Sequence, residues 1–333
     1  MNERSSFILG KDVFIKLINI SNESIKTLKN SLRRGNYLPF ETNEFIINYL
    51  ISNEKNNNLL SPKTKVLSSK NSYNLEDMNK YQNETYDDTF KDLLKNFIEF
   101  NPNKLDNIKT IIIISQRVDG NLESFLREYQ PNEEELRNAF IHISYLYYTF
   151  QKNYKMMHID PKINNYTWQK LDSPLEITYQ FDGDKSIIRN VNHLFYLTDL
   201  EFVYSPMIIK KNNLTYNFSQ KYEWLNDNRS DLIIIPKISS SPYYDYNNNL
   251  YLGINVFDKI KNNSSKANIS NLRMFAIDIL ILVKMILTFD YISYLPPKIS
   301  NILNKYFTLF CALSENNKNY SLVSSSSFAK YFT

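Results

Sequence analysis

The sequence predicts an α+β protein of two unequal lobes, and three observations carry that prediction. Short runs rich in β-branched and aromatic residues, Val13-Phe14-Ile15-Lys16-Leu17-Ile18 and residues 110–114, fall in the first third of the chain. After Asn132 a long amphipathic pattern begins, with Leu136, Phe140, Ile143, Tyr147 and Phe150 on one helical face. Gly120 breaks the chain between the two regions, which gives a division into residues 1–118 and 119–333.

The elements follow in order. Val13 to Ile18 is strand-like; a polar, mixed-charge span comes next. Phe45, Ile46, Tyr49 and Leu50 recur at helical spacing and predict a short helix over 41–51. Residues 52 to about 88 are dominated by Asn, Ser, Lys and Asp and read as a long loop or insertion. The continuous β-branched run at 110–114 suits a strand buried on both faces. A short helix is expected over 122–129. Asn132 then caps the long helix, with Glu133, Glu134 and Glu135 in its first turn, where the helix dipole favours negative charge. Pro161 biases Asp160 away from helical geometry and ends that helix. Residues 176–180 and 186–189 flank Asp182-Gly183 as a hairpin, and 194–197 form a further strand that ends at Thr198-Asp199-Leu200-Glu201. The span 205–270 reads as irregular, 271–289 as a helix, and the serine run 324–327 as loose.

Composition narrows the class of protein. Hydrophobic residues make up 43% of the chain and aromatics 14%, so 333 residues are expected to fold around a sizeable core. The 39 basic and 35 acidic residues leave a net charge of only +4, which predicts no nucleic-acid partner. A single Cys311 excludes an internal disulfide and fits a reducing, cytoplasmic compartment. No signal-peptide pattern opens the chain. The most apolar segment, 274–287, contains Asp278 and Lys284 and is too short to span a bilayer.

The segment MMHIDPKINN, residues 156–165, concentrates the chemistry. Phosphoryl transfer spreads negative charge over the moving group, so a protein must supply cations, bound metal and an oriented hydroxyl. A loop of the form His-x-Asp-x-Lys-x-x-Asn offers all three on one turn, and His158, Asp160, Lys162 and Asn165 have that spacing. Asp199 follows at a strand end, after the hairpin.

These residues resemble the eukaryotic-type protein kinases, and in particular the divergent, poxvirus-like kinases of large DNA viruses, over roughly residues 7–290. His158-Ile-Asp160-Pro-Lys162-Ile-Asn-Asn165 is similar to the catalytic loop, with Pro161 where the family usually has Leu. Asp199-Leu-Glu201 stands at the magnesium-binding DFG position, keeping the Asp and losing Phe and Gly. Val13-Phe-Ile-Lys16 looks like the family's phosphate-binding lysine strand, with Glu44 as the partner of Lys16 and Glu41 as its competitor.

The resemblance implies a bilobal kinase-like fold with a reduced N-lobe and a trimmed, mainly helical C-lobe. It implies ATP and Mg²⁺ as cofactors and a protein hydroxyl as acceptor, in the host cytoplasm or the virion. Asp160 orients the hydroxyl, Lys162 neutralises the γ-phosphoryl group, Asn165 and Asp199 hold metal, and Lys16 holds the α- and β-phosphates. Lys162 also implies Ser/Thr specificity. Three departures are plain. None of Gly10, Gly35, Gly120, Gly183 and Gly253 falls in a GxGxxG; Asn271 stands where the central C-lobe helix of the family begins with Asp; and no APE motif follows Glu201. A pseudokinase serving as a binding or virion scaffold therefore stands as the alternative, with a small-molecule phosphotransferase behind it. An activating or scaffold protein that completes the short N-lobe is an expected partner.

Simpler readings stand beside each residue. The loop also reads as a polar turn, Asp199 as a strand terminator, and Lys16 as an edge lysine reaching water. Glu41 and Glu44 also suit a solvated first turn. The cluster Lys26, Lys29, Arg33 and Arg34 reads as a solvated face, and His142 and His193 as packing residues. No Cys/His set has zinc spacing, and no GxSxG elbow is present.

Overall fold

The computed structural model describes residues 5–53, 61–154, 156, 158, 162–181, 186–203, 205, 208–218, 278–279, 282–283, 285–287, 290–315 and 325–333. The chain is mixed α and β and divides into two compact units, Met1–Val118 with Thr198–Gln220, and Asp119–Leu197 with Lys221–Thr333. The break between Val118 and Asp119 lies where Gly120 interrupts the sequence pattern. The segment from Thr198 to Gln220 belongs to the first unit, although chain order alone assigns it to the second.

The first unit is built on a five-stranded antiparallel sheet. In chain order the strands are β1 (Ser5–Leu9), β2 (Val13–Asn19), β3 (Thr64–Ser69), β4 (Ile98–Glu99) and β5 (Thr110–Gln116), and in space they run β1-β2-β5-β3-β4. Side chains alternate across a strand, so each face has its own cover. Val13, Ile15 and Leu17 of β2, Leu67 of β3 and Ile112 and Ile114 of β5 form one face, packed against Met78, Tyr81, Tyr86, Leu93 and Phe97. Lys16 belongs to the other face, opposite Ile113, which in turn pairs with Val66. Helix α2 (Asn43–Ser52) packs against β3 and β5.

Three sequence readings are revised here. Residues 52–88 are no simple insertion, because they contain β3, an interior strand between β5 and β4, and the turns that cover the sheet; α3 (Tyr86–Leu93) begins there too. Their polar composition conceals a few apolar residues at burial positions. Each apolar side chain removed from water contributes roughly 1.5–3 kcal/mol, enough to outweigh weak strand propensity. The polar span after β2 is helix α1 (Asn22–Arg34), capped by Ser21, whose Oγ accepts from the Ser24 N–H at 3.0 Å. It ends at Gly35, whose φ of 74° is left-handed and whose N–H reaches the Ser31 carbonyl. Within 205–270 the described residues include a hairpin, β9 (Ile209–Lys211) and β10 (Leu214–Tyr216), turned by Asn212 and Asn213 at positive φ. Asn217 fastens this hairpin to α1, donating to the Gly35 carbonyl at 2.9 Å.

The second unit centres on α5 (Glu133–Tyr154), which follows the short β6 (Gly120–Asn121), α4 (Leu122–Ser124) and a π-turn at Phe125–Tyr129. Asn132 and Glu135 form a reciprocal cap: Asn132 Oδ1 accepts from the Glu135 N–H at 3.0 Å, and Glu135 Oε2 accepts from the Asn132 N–H at 2.9 Å. Leu136, Phe140, Ile143, Tyr147 and Phe150 are fully buried. Strands β7 (Tyr166–Tyr179) and β8 (Ile187–Leu197) make one long antiparallel pair where a short hairpin and a separate strand were expected, and α5 packs on β8. His142 of α5 lies between the strands, its Nε2 donating to the Phe195 carbonyl at 3.1 Å and its Nδ1 accepting from Tyr179 Oη at 2.9 Å. Helix α6 (Pro297–Glu315) and α7 (Ser325–Lys330) follow. Residues 325–327 of the serine run, expected to be loose, are helical, and Phe328 and Phe332 beyond them are buried against Phe140, the latter ring stacked at 5.0 Å.

Candidate functional site

In the first unit, strand β2 and helix α2 bring Lys16 and Glu44 together. Lys16 Nζ lies 2.6 Å from Glu44 Oε2, with the two side chains 18% and 14% exposed. The contact arises from alternation: Lys16 points to the face that α2 covers, and Glu44 occupies the first turn of that helix. Glu41 lies outside this pair and accepts from Ser24 Oγ at 2.7 Å.

Asp199 is held just before the 3₁₀ turn Leu200–Phe202 with φ 57° and ψ 58°, a left-handed conformation uncommon for a residue with a Cβ. The turn is docked on α2: Asn43 Nδ2 donates to the Glu201 carbonyl at 3.2 Å, and Leu200 is buried. Asp199 and Glu201 therefore share the electrostatic neighbourhood of Lys16 and Glu44. Burial pushes the Glu44 carboxyl above the ordinary carboxylate range; Lys16 opposes the rise and the charge of Asp199 adds to it. The Glu201 carboxyl is raised as well, first by burial and then by Glu44, with Lys16 opposing and Asp199 adding. Three carboxylates against one lysine leave local negative charge, which suits a hard cation with oxygen ligands. Among the described residues no group of three or more His, Cys, Asp or Glu side chains is placed to hold a metal ion. Magnesium needs none, since it keeps waters and takes one or two carboxylates with substrate phosphates.

The turn between β1 and β2 is tied down. Gly10 N–H donates to the Val13 carbonyl at 2.8 Å, Lys11 N–H to the Gln82 carbonyl at 2.7 Å, and Arg117 Nη1 to the Gly10 carbonyl at 2.9 Å. A Cβ at Gly10 would sit 3.0 Å from the Gln82 oxygen, so this glycine serves close packing.

In the second unit, Lys162 is half-buried and opens the 3₁₀ turn Ile163–Asn165, in which the Asn165 N–H returns to the Lys162 carbonyl at 2.8 Å. Asn165 is buried at the start of β7. Asp160 lies outside the described residues, as do Ile159 and Pro161. His158 is fully buried, and its backbone N–H donates to Asp278 Oδ2 at 2.8 Å, across 120 positions of sequence.

Asp278 is the residue that sequence reading missed. Attention fell on Asn271 as the place for a helix aspartate, yet the carboxylate that braces the loop comes seven residues later. Residues 278, 279, 282, 283 and 285–287 are helical; the rest of 271–289 lies outside the described residues. The available signal was a lone aspartate inside a strongly apolar helical run, where an ionised group needs a partner. No protein-family model matches this sequence, and no curated protein matches it.

Proposed function

We propose that the protein is an ATP- and Mg²⁺-dependent Ser/Thr protein kinase of viral type. The observation that carries this reading is the Lys16–Glu44 ion pair, with Asp199 close enough to influence the Glu44 carboxyl. A lysine so paired is held in a fixed direction, which is what holding the α- and β-phosphates requires. Asp199 offers a carboxylate to magnesium, and Asn165 a neutral oxygen. Asp160 accepts the hydrogen bond of the substrate hydroxyl, and Lys162 neutralises the transferred group. The Asp278 carboxylate supports the loop by fixing the His158 backbone. Bound Mg-ATP supplies the phosphoryl group and most of the counter-charge.

Glu201 favours a second reading, a pseudokinase acting as a binding or virion scaffold. An extra carboxylate whose charge interacts with Lys16 competes with phosphate for the same cation.

One assay separates the two. The full chain is incubated with Mg²⁺, γ-labelled ATP and a generic Ser/Thr protein substrate, beside Asp160→Asn, Lys162→Ala and Lys16→Met. Transfer by wild type that falls at least ~100-fold in each variant supports catalysis. Equal signal in all four proteins removes the kinase assignment. Thermal stabilisation by Mg-ATP without transfer selects the pseudokinase.

A further inference from the structure

The five-stranded sheet of the first unit ends in two unlike edges. At one, β4 is only two residues long, and its Glu99 carries charge, with Lys65 Nζ at 4.0 Å. A short, charged edge resists pairing with a further strand. At the other, β1 runs for five residues, Ser-Ser-Phe-Ile-Leu, without a charge or a proline. Among the described residues β2 is its one strand neighbour.

The hydrogen bonds around β2 fix which main-chain groups of β1 face outward. The Arg117 N–H donates to the Asp12 carbonyl at 3.0 Å and the Ile20 N–H to the Lys109 carbonyl at 3.0 Å, so the even-numbered residues of β2 bond to β5. Its odd-numbered residues therefore bond to β1, and the Gly10 N–H donates to the Val13 carbonyl at 2.8 Å. Ile15 stands opposite Ile8 and Leu17 opposite Ser6, so Ile8 and Ser6 turn their main-chain groups to β2. Phe7, opposite Lys16, and Leu9, opposite Phe14, occupy the non-hydrogen-bonded positions, as does Ser5 opposite Ile18. The N–H and C=O groups of Ser5, Phe7 and Leu9 thus point away from the sheet. The Phe7 and Leu9 side chains are 64% and 57% exposed, and Phe7 stacks on Phe14 at 6.0 Å. The edge offers a ladder of main-chain donors and acceptors beside an apolar row.

The strand is complementary to itself. In an antiparallel copy centred on Phe7, Phe7 meets Phe7 of the second copy, Ser5 meets Leu9, and Ser6 meets Ile8. Every outward-facing residue then meets another outward-facing one, a small residue lies beside a large one, an aromatic ring beside its equal, and no like charges meet. A slip of one residue would set outward groups against inward ones, so the alternation of the strand fixes the pairing. We propose that β1 pairs antiparallel with β1 of a second copy, joining the two sheets across a two-fold axis through Phe7. This proposal is independent of the kinase reading. Two such short strands bury less than the roughly 1,000 Å² of a stable interface, so the dimer is weak and forms as concentration rises.

Sedimentation velocity of the full chain from about 1 to about 300 μM brackets the affinity of so small an interface. A reversible monomer–dimer equilibrium is expected. Phe7→Lys, which sets two ammonium groups against each other, should weaken it by about tenfold or more, while Ile98→Lys at the opposite edge leaves it within about twofold. Phe7 is exposed, so Phe7→Lys should unfold at the same urea concentration as wild type when both are dilute. Cysteines placed in a Cys311→Ser background read the register. Phe7→Cys should form a disulfide-linked dimer under mild oxidation, because hydrogen-bonded pairs hold their Cα atoms about 5.5 Å apart. Leu9→Cys should not, because its two copies lie roughly 13 Å apart along the strands. A chain that stays monomeric throughout leaves this edge to a strand of another protein and overturns the proposal. A dimer indifferent to Phe7→Lys, or equal cross-linking of both cysteines, overturns it as well.

Discussion

The Lys16–Glu44 pair of the first unit and the His158–Asp278 contact of the second both engage a carboxylate over a long sequence separation, but on opposite terms. Lys16 and Glu44 keep 18% and 14% of their side chains exposed and share their surroundings with two further carboxylates. Asp278 is completely buried and receives a backbone N–H, so it fixes the chain and has no water to fall back on. Breaking the first contact lets water replace much of what is lost; breaking the second leaves a buried donor without an acceptor. On the proposed kinase reading, a part-buried ion pair can exchange partners when a phosphate arrives, whereas a buried backbone brace cannot. The difference teaches that the first contact is suited to exchange and the second to rigidity.

The largest expected effect sharpens that contrast. Asp278→Ala should destabilise the protein by about 4 kcal/mol, combining an orphaned His158 N–H with a small cavity. Lys16→Met should cost about 1–2 kcal/mol, because the part-buried Glu44 loses its cation but can take up a proton. On the kinase reading it should also remove phosphate transfer. Urea denaturation of both variants measures this. Comparable losses in stability would erase the distinction.

His142 provides a second kind of buried polar brace, one that titrates. Burial lowers its pKa from 6.5 to about 4, and the Phe195 carbonyl recovers part of the cost. A base whose folded pKa is depressed contributes stability that is full above its unfolded pKa and is lost as pH falls through the folded value. Between pH 6.5 and 4 the loss amounts to roughly 3 kcal/mol. His142→Gln, which keeps a donor and an acceptor without titrating, should flatten the stability profile in this window. An unchanged slope would assign the acid sensitivity to other groups.

How much of this was legible in the sequence depended on whether a local pattern matched the final burial. β2, β5 and α5 were readable because their apolar residues repeat at the period of the element they form. β3 was not, because Thr64, Lys65, Ser68 and Ser69 surround only Val66 and Leu67, and its place between β5 and β4 is decided by tertiary packing. Lys16 and Glu44 could be named as partners from motif resemblance, but only the sheet face and the helix register bring them into contact. Asp278 escaped notice because its partner is a backbone N–H 120 positions away, and no side-chain pattern encodes that.

The smallest expected effect tests whether the surroundings of Lys16 carry more carboxylate than the fold alone requires. The Glu201 carboxyl titrates above its ordinary 4.5, through burial and the charge of Glu44. An acid whose folded pKa is raised contributes stability that is present below its unfolded pKa and lost as pH rises through the folded value. At pH 7 the ionised group is therefore a net cost, and Glu201→Gln should stabilise the protein by less than about 1 kcal/mol. Near pH 4, where the native Glu201 is already largely protonated, the two proteins should unfold at nearly the same denaturant concentration. Unfolding curves at both pH values decide the matter. Destabilisation at pH 7 would mean that Glu201 holds Lys16 as strongly as Glu44 does. The Lys16 neighbourhood would then be a structural brace like that of Asp278, and its charge would not be free for phosphate.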